Sequence, residues 1–238
     1  MREIRDRLRP SWYRILELSP RAYTAYVRRR NASAEVVRPG RDIVVVGSAG
    51  SGNTFARVAL QVSNPGIDVA SHVHSWTQAA EAVRYGLPLL VLAREPLSAI
   101  SSALVRFPDR RPKSELREYS RLYERLLPFV RQAVVADFPT VVERFGSVIR
   151  SLNERFLTEF KTFDHDDPRS TTEVLEHIDA YDRIALNGDA TRTARPTSEK
   201  DERKQLVASE LRSSALRPFL DDCDRVYRRL VEVAAAAG

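Results

Sequence analysis

The sequence predicts an α/β fold: a central parallel sheet of about four or five strands flanked by helices in three layers. Three observations carry this expectation. Short, continuous apolar runs rich in β-branched residues mark strands buried on both faces. Each run is followed by a segment of helical periodicity, the alternation that a parallel sheet requires. A glycine-rich turn joins the first such run to the first helix of the domain, as in strand–turn–helix units.

The elements follow in order. Ile43-Val44-Val45-Val46 is the first strand and Thr54–Val62 the helix after it. Asn64-Pro65-Gly66 is a turn, Ile67–Ala70 a short second strand, and Trp76–Arg84 a helix. Leu87–Ala93 is a third buried strand, and Leu97–Phe107 is helical. Leu116, Tyr119, Leu122, Tyr123 and Leu126 recur on one face of a longer helix over Ser114–Phe129. Ala133–Ala136 before Asp137 is a fourth strand, and Val141–Phe160 is mostly helix. A polar loop over Asp164–Ser170, a helix over Thr172–Leu186, a polar loop over 187–198 and two closing helices over 199–236 complete the chain. Residues 1–40 read as a basic helical N-terminal arm and 41–238 as the domain.

The 238 residues suffice for a core without disulfides or metal. The single cysteine, Cys223, sits among Asp221, Asp222 and Asp224, which oppose thiolate formation, so it reads as an ordinary helix residue. No run approaches the ~20 apolar residues of a membrane span, and no apolar stretch of signal-peptide type follows the first arginines. The expected address is the cytoplasm. The net charge of +6 is concentrated in residues 1–30, where nine arginines face Glu3, Asp6 and Glu17, while the rest balances 29 basic against 29 acidic residues. A nucleic-acid-binding domain spreads positive surface over the fold, so no nucleic-acid partner is expected. In the arm, Trp12, Tyr13, Ile15, Leu16, Leu18, Tyr23 and Tyr26 interleave with the arginines. It reads either as a surface helix docked by its aromatic face or as a basic amphipathic segment for an anionic membrane surface or an acidic partner. The sequence does not address oligomeric state.

Three motifs carry chemistry. Gly47-Ser48-Ala49-Gly50-Ser51-Gly52-Asn53-Thr54 has the Walker A spacing, with Asn53 at the lysine position. Its glycines let successive N–H groups face inward, the helix N-terminus adds positive potential, and Ser51, Asn53 and Thr54 add side-chain donors, so a phosphate is expected there. Triphosphate chemistry uses the missing lysine on the β- and γ-phosphates, so its absence speaks against ordinary ATP turnover. Arg94-Glu95-Pro96 closes the third strand, and Ser98, Ser101 and Ser102 share a face of the next helix, a natural second phosphate site. His72-Val73-His74 follows the second strand, and either imidazole can act as a general base. No metal site is expected, because His165 and His177 lie in no ligand pattern.

In this order the three motifs resemble the bacterial type of the sulfotransferase family that uses 3′-phosphoadenosine 5′-phosphosulfate. Gly50-Ser51-Gly52-Asn53-Thr54-Phe55 is similar to its K-S-G-[TN]-T-W turn, and Arg94, Pro96 and Ser102 fall on its R-x-P-x-x-x-x-x-S spacing. The resemblance covers residues 42–107 and continues more weakly through Phe138–Phe156 and the last helices. It implies a P-loop-like three-layer fold. It also implies that Gly50, Ser51, Gly52, Asn53, Thr54 and Phe55 hold the 5′-phosphosulfate and that Arg94 and Ser102 hold the 3′-phosphate. His72 or His74 is then the base toward a hydroxyl acceptor (glycan, lipid or small molecule). Two departures stand out. Gly50 replaces the family's lysine, and the C-terminal R-K-G segment is absent, although Arg195-Pro196-Thr197-Ser198-Glu199-Lys200 resembles a loop of bacterial members. Arg57, Arg195 or Lys200 are candidates to supply the lost charge.

Two other readings stand beside this one. Ala133–Ala136 ending in Asp137 has the look of a strand carrying a Walker B acid, as in a P-loop kinase or NTPase. The missing lysine also fits a non-catalytic relative that binds 3′-phosphoadenosine nucleotides without turnover.

Overall fold

The computed structural model describes residues 17–30, 35–185 and 198–237. Four strands, β1 (Ile43–Gly47), β2 (Val69–Ala70), β3 (Leu89–Ala93) and β4 (Val134–Asp137), form one sheet in the order β2-β1-β3-β4. Every pairing is parallel, with Val44 opposite Ala70 and Leu89, and Leu90 opposite Val134. The carboxyl ends of all four strands therefore lie along one edge, where open α/β sheets bind their ligands.

Side chains alternate across a strand, and here both faces are covered. Val44, Val46, Leu89, Val91 and Ala93 point into one apolar layer, and Ile43, Val45, Leu90, Leu92 and Ala136 into the other. The first layer is completed by α3 (Thr77–Tyr85), α4 (Pro96–Arg106), α5 (Pro112–Leu126) and α10 (Arg217–Ala235). The second is completed by α2 (Asn53–Ser63), α7 (Phe145–Phe156) and α8 (Pro168–Ala185). This two-sided burial explains why β1 and β3 read as unbroken apolar runs rather than alternating ones. The remaining described helices are α1 (Pro20–Arg30), α6 (Phe138–Glu143) and α9 (Ser198–Leu211).

The sequence expectations shift in several places. The helix expected from Thr172 begins at Pro168, inside the expected polar loop, where Asp167 accepts from the Arg169 N–H at 2.9 Å, and the third strand begins at Leu89 rather than Leu87. The second strand shrinks to two residues because Ile67 and Asp68 are engaged elsewhere. Asp68 exchanges hydrogen bonds with Asp42 and pairs with Arg38 and Arg41. The long fifth helix ends at Leu126 and passes into a 3₁₀ segment over Leu127–Gln132, since Pro128 has no N–H with which to continue an α-helix. The helix expected over Val141–Phe160 is two helices broken at Arg144. The first starts early because Asp137 caps it, accepting from the Thr140 N–H at 2.9 Å.

The described part of the arm is docked. Tyr23 is 4% exposed, and α1 packs on α3. Glu17 pairs with Arg121 at 2.8 Å and accepts from the Ser75 hydroxyl at 3.1 Å. Arg21, Arg28, Arg29 and Arg30 face outward. Trp12, Tyr13, Ile15 and Leu16 lie outside the described residues. Among the described residues no helix is long and apolar enough to cross a membrane.

Candidate functional site

The glycine-rich turn leaves the carboxyl end of β1, and its carbonyls face protein donors. Ser48 O accepts from Ser51 Oγ at 2.6 Å and Asn53 Nδ2 at 2.8 Å. Gly50 O accepts from Arg94 Nη1 at 2.7 Å, and Gly47 O from His74 Nδ1 at 2.7 Å. The opposite polarity is presented at the helix start. Left-handed Gly52 is the N-cap of α2, no side chain caps it, and its first turn carries no acid. By contrast, Glu95 caps α4 through the Leu97 and Ser98 N–H groups, and Asp137 caps α6. The N–H groups opening α2 are therefore offered to an anion, with the helix dipole behind them.

Gly50 brings this turn against α4. Its φ is +82°, and a Cβ there would lie 2.3 Å from the Ala99 carbonyl oxygen and 3.3 Å from Ser102 Cβ. No side chain fits. Among the described residues, the Ser102 hydroxyl beside this contact and Asn53 Oδ1 in the turn are buried with no hydrogen-bond partner, as is the Ser101 hydroxyl on α4. Buried polar atoms left unpaired cost free energy, so the two at the turn suit a polar occupant. Ser98 does not join them: it is exposed, and its N–H is taken by the Glu95 cap. Arg94 lies flat over Phe138, its Cζ 3.7 Å from the ring centroid, while its own carbonyl accepts from Tyr119 at 2.6 Å. One turn further along α5, Tyr123 donates to Leu92 O at 2.7 Å and accepts from the Ser48 N–H at 3.2 Å. The two tyrosines thus pin the ends of β1 and β3 together.

His72 and His74 flank the turn from the end of β2. His72 has a left-handed backbone with φ 59°. Its Nε2 stands 3.3 Å from Thr54 Oγ1, and its Nδ1 stands 2.8 Å from Ser71 Oγ and 3.2 Å from Glu35 Oε2. Sequence reasoning missed Glu35. It lies 37 positions before His72 in an irregular segment, and no local pattern distinguishes it from other surface acids. Ser71 donates to Glu35 Oε2 at 2.5 Å, and Arg57 pairs with Oε1. Burial pushes this carboxyl upward, but hydrogen bonds from His72 and Ser71 and the Arg57 charge outweigh it and hold Glu35 at about 2.

A folded-state value of about 2 against an ordinary 4.5 means that Glu35 stabilises the fold above about pH 4.5 and loses that contribution as pH falls toward 2. The contribution is at most about 3 kcal/mol, reduced by solvent screening at a side chain one-quarter exposed. The stability difference between wild type and Glu35→Gln in urea titrations is therefore expected to be largest near neutrality and to shrink across that acid window. A difference independent of pH would contradict it.

The other expected site residues are more dispersed. Phe55 turns toward α7, edge-on to Phe145 and Phe163 at 6.2 and 6.1 Å and stacked on His165 at 6.3 Å. Arg57 is engaged with Glu35. Lys200 is buried near Arg106 and Asp182, which pair at 2.5 Å, and Arg106 is one helical turn beyond Ser102. Burial, then the Arg106 charge, lowers the Lys200 pKa. Arg195 lies outside the described residues. No protein-family model, curated protein or solved structure matches this chain.

Proposed function

We propose that this chain is a P-loop-type sulfotransferase-like domain. It binds 3′-phosphoadenosine 5′-phosphosulfate at the turn and moves its sulfonate to a hydroxyl acceptor, with one of the two histidines as base. One observation carries the reading. The uncapped start of α2 belongs to a turn whose Gly50 carbonyl accepts from Arg94 and whose Gly50 packs on the stretch of α4 that carries Ser102, whose hydroxyl is buried with no hydrogen-bond partner among the described residues. Two anion-seeking groups side by side suit a nucleotide with phosphates at both its 5′ and 3′ positions. The loop amides and Thr54 would stabilise charge developing on the 5′-phosphate of the departing 3′,5′-ADP, while Arg94 holds its 3′-phosphate. The scheme needs no metal.

A second reading has an observation of its own. Gly50 is sealed against Ala99 and Arg57 is tied to Glu35, so neither supplies the lysine's charge as the chain stands. This favours a relative that binds the nucleotide without turnover. The kinase or NTPase reading has less support. The strand beside β1 ends in Arg94 rather than an acid, and Asp137, one strand further out, is spent on the α6 cap.

A thermal-shift comparison of 3′,5′-ADP with ATP, each with and without magnesium, tests the proposal. A ligand at a hundred times its Kd adds about 2.7 kcal/mol to folded-state stability. The expected result is a rise in Tm with 3′,5′-ADP that magnesium does not change. A larger rise with magnesium–ATP would overturn it. Turnover with an acceptor panel then separates the transferase from the silent binder.

A further inference from the structure

We propose that Glu35 is a positioning residue for His72: it holds the imidazole with the Nδ1 proton toward Glu35 and Ser71 and the Nε2 lone pair toward Thr54, so that His72 rather than His74 receives the acceptor proton. This deepens the transfer reading and rests on it for its catalytic meaning, while the orientation of the ring stands on geometry alone.

The hydrogen-bond donors decide the tautomer. Glu35 Oε2 only accepts, so the Ser71 hydroxyl, 2.5 Å away, spends its proton there. What remains for His72 Nδ1 is two acceptors, Ser71 Oγ at 2.8 Å and Glu35 Oε2 at 3.2 Å. A neutral ring donating from Nδ1 carries its lone pair on Nε2, which stands 3.3 Å from the Thr54 hydroxyl at the start of α2. Arg57 holds the other carboxylate oxygen and fixes the plane of the group. Carboxylate, imidazole and hydroxyl are thus in the sequence by which an orienting acid serves a general base. His72 reaches this place through a left-handed backbone that is costly for a non-glycine residue, a type of strain that clusters at functional sites.

Among the described residues, the charged groups facing the ring are Glu35, from the segment before β1, and behind that carboxylate Arg57, from α2. His74 differs. Its Nδ1 meets the Gly47 carbonyl, a neutral dipole, so that contact does less for a protonated ring than the Glu35 carboxylate does for His72. In the transfer step the acceptor oxygen forms its bond to sulfur as the bond from sulfur to the 5′-phosphate oxygen breaks. The electron pair leaves with 3′,5′-ADP, and the hydroxyl proton passes to His72 Nε2, beside the ionised Glu35.

Nitrogen-detected NMR of the histidine rings in wild type, Glu35→Gln and Glu35→Asp tests the assignment in the free protein. The expected wild-type signal is the Nδ1–H tautomer. In Glu35→Gln that preference is expected to weaken into a mixture of tautomers, because an amide can donate to Nδ1 as well as accept from it, and to recover in Glu35→Asp. With 3′-phosphoadenosine 5′-phosphosulfate and p-nitrophenol as substrates, kcat is expected to fall by roughly tenfold or more in Glu35→Gln, with the KM for the donor little changed. An Nε2–H tautomer in wild type, or an unchanged tautomer population in Glu35→Gln, overturns the inference. If the NMR results are met but 3′,5′-ADP does not bind, the positioning of His72 stands and the transfer reading alone falls.

Discussion

Replacing Gly50 with alanine is expected to destabilise the domain by about 2–5 kcal/mol in urea denaturation, combining a strained left-handed conformation with overpacking against a neighbour that cannot retreat. The neighbour is backbone: the Ala99 carbonyl oxygen would sit 2.3 Å from the new Cβ, inside a helix whose next turn is held by Ile100, Ala103 and Leu104 in the core. Gly86 is the control. It is also left-handed, with φ 65°, but a Cβ there meets nothing within 4 Å. Gly86→Ala is therefore expected to cost about 1 kcal/mol, the conformational part alone. Equal losses in the two variants would mean that the turn is not packed on α4. Gly50→Lys carries the same Cβ and is expected to fare no better than Gly50→Ala. Installing the lysine that the resembled family has would thus damage this turn rather than repair it.

Arg94→Ala is expected to weaken 3′,5′-ADP binding by about ten- to a hundredfold in calorimetry, the range of a charge-assisted hydrogen bond of roughly 1.5–3 kcal/mol. The guanidinium does two things at once. One N–H steadies the Gly50 carbonyl at 2.7 Å, while its plane lies on Phe138 and leaves further N–H groups of the fork for a phosphate. Lysine cannot stack on the ring and reach the carbonyl with the same fork, so Arg94→Lys is expected to recover only part of the affinity. Phe138→Leu keeps the charge but removes the surface that orients it, and a smaller loss is expected there. Full affinity in Arg94→Ala with an unchanged Tm would remove Arg94 from the site.

Much of this layout was legible in the residue order. The β-branched run at Ile43–Val46 and the apolar run Leu87–Ala93 announce strands buried on two faces, and strands form at Ile43–Gly47 and Leu89–Ala93. The turn at Gly47–Thr54 announces a strand-to-helix junction through its glycines and small polar residues, and α2 begins at Asn53 without a side-chain cap. Helix ends were less legible. Where α5 gives way at Leu126 depends on Pro128, and where α6 begins depends on the Asp137 cap, competing local bonds that periodicity does not weigh.

The sheet, its helical cover and the strand-to-helix turn after β1 follow from the residue order, because side-chain period and turn chemistry act among residues a few positions apart. Tertiary structure alone decided that Glu35 orients His72, that Tyr119 and Tyr123 brace the ends of β3 and β1, and that Ala99 closes the Gly50 position to any side chain. Those contacts join residues 25 to 75 positions apart, brought together only where each crossover returns to the same edge of the sheet. No spacing rule reaches that far, since the partners are chosen by packing of whole helices against the sheet rather than by their neighbours in the chain.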